Sequence, residues 1–211
     1  MGLGELEREV LAKVYVAGLV GQPASLAYLS KQLGLPGDLL RQVLDGLARR
    51  GLIKPSGGPG GCSYVLTEEG RSSIKVVMTG GAFDILHVGH LATLEAAKRL
   101  GDVLVVVVAR DETVKRMKGR EPLNSEQDRL KLVSALRPVD LALLGDLGDS
   151  MKTVEHVKPD VIALGYDQKH NERQIEAELR ARGLKARVIR LDVHVPGVKS
   201  SKILARLLRE L

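Results

Sequence analysis

The sequence has no tryptophan, one phenylalanine, four tyrosines and a single cysteine among its 211 residues. So few rings exclude a core built on aromatic packing, and the interior must be aliphatic. The lone Cys62 excludes a disulfide framework within the chain and suits a reducing compartment. No apolar stretch reaches the length that spans a bilayer, and Met1-Gly2-Leu3-Gly4-Glu5 lacks the charged and apolar regions of a signal peptide. The sequence therefore reads as that of a soluble, cytoplasmic protein. Neither G-x-G-x-x-G nor G-x-x-x-x-G-K-[ST] occurs, so a dinucleotide fingerprint and a Walker loop are both absent.

What is present fits one large or two small domains with a sizeable core. The net charge is +6, and it is unevenly spread. Residues 1–70 carry seven basic and seven acidic side chains, whereas residues 71–211 carry 25 and 19. Any attraction for anions belongs to the second part.

The first part shows three apolar-periodic stretches, Leu6–Leu19, Ser25–Leu33 and Leu39–Arg50, the last with Asp38 as an N-cap candidate. Leu52–Pro55 and Ser63–Thr67 read as short strands around a Gly/Pro-rich turn over Ser56–Cys62. Three helices and a hairpin in this order resemble a winged helix-turn-helix domain over residues 1–70. Arg41, Gln42, Arg49 and Arg50 lie on its candidate recognition helix. Its neutral charge favours protein contact or cover of a substrate site over DNA binding.

After a polar joint at Glu68–Ser73 the pattern becomes alternating strand and helix over residues 74–211. Strands are predicted at Ile74–Thr79, Val103–Ala109, Leu141–Leu144, Val161–Leu164 and Val188–Leu191. Helices are predicted at Val88–Leu100, Ser125–Leu136, Ser150–Val157, Asn171–Arg182 and Ser200–Leu211. Continuous runs such as Val103–Val108 suit strands buried on both faces, hence an α/β fold with a five-stranded parallel, Rossmann-like sheet.

The chain is organised around Gly80-Gly81-Ala82-Phe83-Asp84-Ile85-Leu86-His87-Val88-Gly89-His90. It reads as a strand, a glycine-rich turn and a helix, placed at the carboxyl end of a strand where open α/β sheets bind ligands. The helix start offers free N–H groups and the positive end of its dipole to phosphate. His87 and His90, three residues apart, share a face if the helix has begun. A zinc site would have Asp84 nearby but no obvious third ligand of the usual kind, and a solvated helix cap remains open as the plainer reading.

This stretch resembles the G-T-F-D-x-x-H-x-G-H signature of the cytidylyltransferase-like nucleotidyltransferases. Lys199-Ser200-Ser201-Lys202-Ile203 resembles their second signature, at the start of the last helix. Val108–Lys115, Lys118-Gly119-Arg120, Arg137–Asp140 and Leu164–Gln168 are most similar to the archaeal FAD synthases of that family. The resemblance implies transfer of AMP from ATP to FMN, with a divalent cation, Mg²⁺ or another, bridging the phosphates. It also brings the expectation of a homodimer. In the roles it implies, His87 and His90 donate to the triphosphate and the transferring group. The Ala82 and Phe83 backbone and Gly89, beside Val88, line the cradle. Lys115 reaches the phosphates, with Arg129 as a second cation. Ser200 and Ser201 hold the β- and γ-phosphates, and Asp167 helps recognise the nucleoside. Asp84 meets the incoming substrate or a divalent ion, and Tyr166 offers the acceptor a ring. Plainer readings stand beside these: solvated cations for Lys115, Lys118 and Arg129, an N-cap for Ser200, a turn residue for Asp167. Two departures stand out. Ala82 replaces the family threonine, and His194 replaces an arginine carried by glycerol-phosphate members. The alternatives are a CTP-dependent cytidylyltransferase acting on glycerol 3-phosphate or a similar ester, and a DNA-binding flavin or nucleotide sensor.

Overall fold

A computed structural model describes residues 2–57, 62–168 and 170–210, without the side chains of 207, 208 and 210. Residues 58–61 of the expected Ser56–Cys62 turn, and the expected helix end at Leu211, lie outside the described residues. The chain divides into two compact units, residues 1–75 and 76–211.

In the first unit, α1 (Glu5–Leu19) buries Val10, Leu11, Val14 and Ala17. A two-residue strand, β1 (Ala24–Ser25), precedes α2 (Leu26–Leu33), which Ser25 caps by accepting the Tyr28 amide at 3.2 Å. Helix α3 (Gly37–Arg49) buries Leu40, Leu44 and Leu47. The expected cap at Asp38 is corrected: the helix starts at Gly37, two residues earlier than expected, behind Pro36, no side chain caps it, and Asp38 sits in its first turn. There its charge meets the positive end of the helix dipole. Strands β2 (Ile53–Ser56) and β3 (Ser63–Leu66) pair antiparallel, and the sheet order is β1-β3-β2. The expected polar joint is instead a short helix, α4 (Glu68–Ser72), capped by Thr67 through the Gly70 amide. Gly70 is buried because its Cα passes Leu52 so closely that a Cβ would lie 1.8 Å from the Leu52 carbonyl oxygen.

The second unit is a parallel sheet of five strands in the order β6-β5-β4-β7-β8. These are β4 (Val76–Gly81), β5 (Val103–Val108), β6 (Leu141–Leu144), β7 (Val161–Leu164) and β8 (Arg187–Arg190). The helices are α5 (Val88–Lys98), α6 (Asp111–Lys118), α7 (Glu126–Ser134), α8 (Ser150–Val157), α9 (Glu172–Ala181) and α10 (Ser200–Glu210). Strand order reverses between β4 and β7, which puts the switch point beside the glycine-rich turn. The core is aliphatic, with Val77, Leu94, Leu104, Val106, Val133 and Val161 essentially inaccessible. Strand β4 begins two residues later than expected, where Asp160 accepts the Val76 amide at 2.7 Å. It also runs two residues further: Gly80 and Gly81 are strand residues paired with Val107 and Val108, not the turn itself. Among the described residues no helix is long and apolar enough to cross a membrane.

Candidate active site

The turn after β4 is built to hold two imidazoles together. Phe83 adopts a positive φ of 51°, a backbone state that non-glycine residues rarely occupy. Its ring is buried and rests over Gly81, where a Cβ would be 3.0 Å from the ring atoms. The same ring leans on His90, with centroids 5.4 Å apart. His87 is the N-cap residue of α5, and its carbonyl accepts the His90 amide at 2.9 Å. The two imidazoles stack with centroids 3.9 Å apart and planes inclined by 26°. The Nδ1 atoms of both are buried, with no protein partner. Burial, then the neighbouring His87 and the Lys118 ammonium, lower the His90 pKa to about 4. Burial also lowers that of His87, against the pull of Asp167. Near neutral pH both rings are uncharged, each carrying one N–H and one lone pair.

The second motif closes on the first. The Ser200 hydroxyl donates to the Ile85 carbonyl at 3.2 Å. A Cβ at Gly89 would meet His87 Nδ1 at 3.0 Å and the Val198 carbonyl at 3.9 Å, so this glycine lets both motifs approach. On the β7 side, Gln168 donates to the Gly80 carbonyl at 2.7 Å and accepts the Gly165 amide at 3.1 Å. Tyr166 meets the edge of His194 at 4.8 Å, and the Lys199 ammonium stands 5.7 Å above the Tyr166 ring and 3.5 Å from Asp167. Ser201 and Val88 are exposed beside these groups.

Residues 78–206 match the cytidylyltransferase-like family, more than half of the chain. The chain belongs to that family and is a nucleotidyltransferase. Its relatives include the FAD synthase of Aciduliprofundum boonei, 56% identical over 115 residues, which are 54% of this chain and 76% of that protein. The FAD synthase of Pyrococcus abyssi is 48% identical over 141 residues, 65% of this chain and 95% of that one. Among solved structures, one titled lipopolysaccharide core biosynthesis protein, from Thermoplasma volcanium, is 48% identical with a TM-score of 0.56, covering 58% of this chain and 99% of its own.

Two expected contacts of this nucleotidyltransferase are corrected. The Asp84 carboxylate is wholly buried and cannot meet a substrate or a metal ion as it stands. It accepts the Leu123 amide at 2.8 Å, the Asn124 amide at 3.0 Å and Arg120 at 3.1 Å. Burial opposes its charge, yet these two amides and Arg120 outweigh it and hold the carboxyl below its ordinary range. Arg129 is fully buried as well, so it is not a cation facing phosphates. Its guanidinium donates to the Ala82, Ala109 and Asn124 carbonyls and to Asp111, and so clamps the turn from beneath. Sequence spacing cannot tell a buried arginine from a solvated one.

Lys115 lies on α6, mostly exposed, with its ammonium 2.5 Å from Glu121. That hydrogen bond raises its pKa. The ammonium that bears on His90 is that of Lys118, one turn further along. Desolvation, then Arg120, lowers the Lys118 pKa. The phrase Lys118-Gly119-Arg120 carried this signal in the sequence. The phrase Leu164–Gln168 includes Gln168 without giving it a role, and Arg190 carries no signal in the sequence. Arg190 gathers the Gly165, Gln168 and His170 carbonyls and Glu172, fixing the loop after β7.

Proposed function

We propose that the chain transfers AMP from ATP to FMN, giving FAD and pyrophosphate. The observation that carries this reading is identity of 47–56% to proteins named FAD synthase, among them that of Thermoplasma acidophilum, in a chain whose two signature motifs meet at a stacked histidine pair.

In this reading the FMN phosphate, largely dianionic near neutral pH, is already a nucleophile. One of its oxygens bonds to the α-phosphorus of ATP, the α–β anhydride bond breaks, and pyrophosphate leaves with the electron pair. No proton has to be removed from the nucleophile, so no general base is required. The protein holds two anions in line and offsets charge as it develops. His87 and His90 serve as donors to the triphosphate, and its negative charge draws their pKa values back up. Lys118 supplies a positive charge beside them. Ser200 and Ser201 receive the outer phosphates at the N-terminus of α10. Asp167 would help recognise the nucleoside; Tyr166, expected to meet the acceptor, has its ring against His194 and under Lys199 beside Asp167, which supports a role on the nucleoside side instead. Among the described residues no three or more His, Cys, Asp or Glu side chains form a metal cage. Mg²⁺ or another divalent ion would enter with the triphosphate.

We read the first unit as a winged helix. The order α1-β1-α2-α3-β2-β3 and the β1-β3-β2 sheet support that reading.

The test is a product screen by chromatography, offering ATP or CTP with FMN, glycerol 3-phosphate or phosphoethanolamine in the presence of Mg²⁺. FAD from ATP and FMN is expected. CDP-glycerol from CTP, with no FAD, would select the cytidylyltransferase alternative.

A further inference from the structure

The scarcity of aromatic residues leaves one question unanswered by the histidine pair: what receives a large planar acceptor. The sheet register points to a place. Gly81, the last residue of β4, pairs with Val108, and Val108 pairs with Leu144, so these three stand abreast on one row. The histidine turn leaves the sheet just after Gly81. Just after Leu144, on the same carboxyl edge and two strand spacings (~10 Å) away, an open cavity begins. Its volume is about 360 Å³, and Arg110, Leu144, Gly145, Lys152, Thr153 and His156 line it.

The opposite side of β4 is already committed. There Gln168 ties the loop after β7 to Gly80, and the second motif closes over Ile85. A triphosphate and its nucleoside on that side leave the β5–β6 side for the other substrate. The cavity also has the right chemistry. Lys152 and His156 are four residues apart on α8, exposed on one helix face. Arg110 joins them from the end of β5, its Nε held by Glu126 at 2.9 Å. Asp146, also in the lining, is held as a carboxylate by the Asp149 and Gly148 amides. The Thr153 hydroxyl accepts the Asp146 amide at 3.1 Å, which fixes the wall. Gly145 donates its amide to the Val108 carbonyl at 3.0 Å and adds no side chain to the floor. Leu143 and Leu144 supply apolar surface.

We propose that this cavity receives the isoalloxazine ring of FMN, with Lys152, His156 and Arg110 facing the two carbonyls of its pyrimidine edge and the leucines facing its dimethylbenzene end. The inference rests on the FMN reading above. The ribityl chain bridges the distance from this cavity to the phosphate at the histidine pair. Donors on a carbonyl edge, with the Lys152 and Arg110 charges among them, take the part that stacking rings play elsewhere.

The test uses the full chain, with riboflavin as a ring probe that lacks the phosphate. Riboflavin binding is followed by flavin fluorescence without ATP, and FAD formation by steady-state kinetics. Riboflavin is expected to compete with FMN and not with ATP. The double variant Lys152→Ala/His156→Ala alters two exposed side chains. It should raise both the riboflavin Kd and the KM for FMN about tenfold, as loss of the charge-assisted hydrogen bond from Lys152 does, with KM for ATP unchanged. An unchanged KM for FMN in a variant that still makes FAD overturns the pocket and leaves the reaction standing. Riboflavin binding that depends on these two residues, in a protein that makes no FAD, supports the pocket and overturns the reaction. A wild-type chain that binds no riboflavin overturns the pocket.

Discussion

Protonation of His90 is the perturbation whose size the structure fixes best. The ring is pressed between Phe83 and His87, its Nδ1 is buried, and its pKa falls from 6.5 to about 4. A drop of that size corresponds to about 3 kcal/mol against charging the folded chain. The unfolded chain takes up the proton near pH 6.5 and the folded chain only near pH 4, so between these values the unfolded state holds more protons. Stability contributed here is fully present above pH 6.5 and is lost progressively as pH falls to about 4. Side-chain NMR of the five histidines, with His90→Gln for assignment, reads the ring directly. One resonance should stay neutral to below pH 5, and urea unfolding of wild type should show a steeper loss between pH 6.5 and 4 than the variant. Saturating triphosphate should raise the same pKa, seen as proton uptake in calorimetry across buffers. A His90 titrating between pH 6 and 7 in the free protein would refute the enclosed, stacked pair and the electrostatics built on it.

Other outcomes follow from the same geometry. His90→Ala should lower turnover at least ~100-fold, as loss of one transition-state donor does; a change confined to KM would speak against that role. Arg129→Met leaves three carbonyls and Asp111 Oδ1 without their shared donor and should cost at least ~2 kcal/mol in denaturant unfolding; near-wild-type stability would show that the clamp is dispensable. Gly70→Ala forces a methyl group into the Leu52 carbonyl, so the first unit should lose at least ~2 kcal/mol, read by hydrogen exchange of α4 and β2. Mixed with duplex DNA at physiological salt, the chain should give no retarded band that depends on the first unit, since residues 1–70 carry equal numbers of acids and bases; a band abolished by Arg41→Ala/Arg49→Ala would revive the sensor alternative.

Much of the second unit was legible because its strands are unbroken apolar runs. Leu141–Leu144 and Val161–Leu164 match residue for residue: the second is buried on both faces and has no polar positions to blur it, and the first, though an edge strand only partly buried, is an unbroken apolar run. Helix α6 was missed because Val114 is its single buried residue, which is too little periodicity to read. Helix α4 was missed because a glycine and charged residues look like a linker until the Leu52 carbonyl is known to lie against Gly70. The turn could be located but not its inner support. Nothing local to Asp84 or Arg129 says that residues 123–124 and 82 will come to meet them, because those bonds span 39 to 47 positions. Tertiary packing, not propensity, decides whether such a charge faces a ligand or its own backbone.

The hydroxyl of Ser200 reaches the carbonyl of Ile85 across 115 positions of chain. A ribosome needs on the order of ten seconds to pass from one to the other. For all that time the histidine loop lacks its far wall. Nucleotide can therefore reward only a polypeptide that has come back to the end of β4, which makes the ligand a late checkpoint on folding.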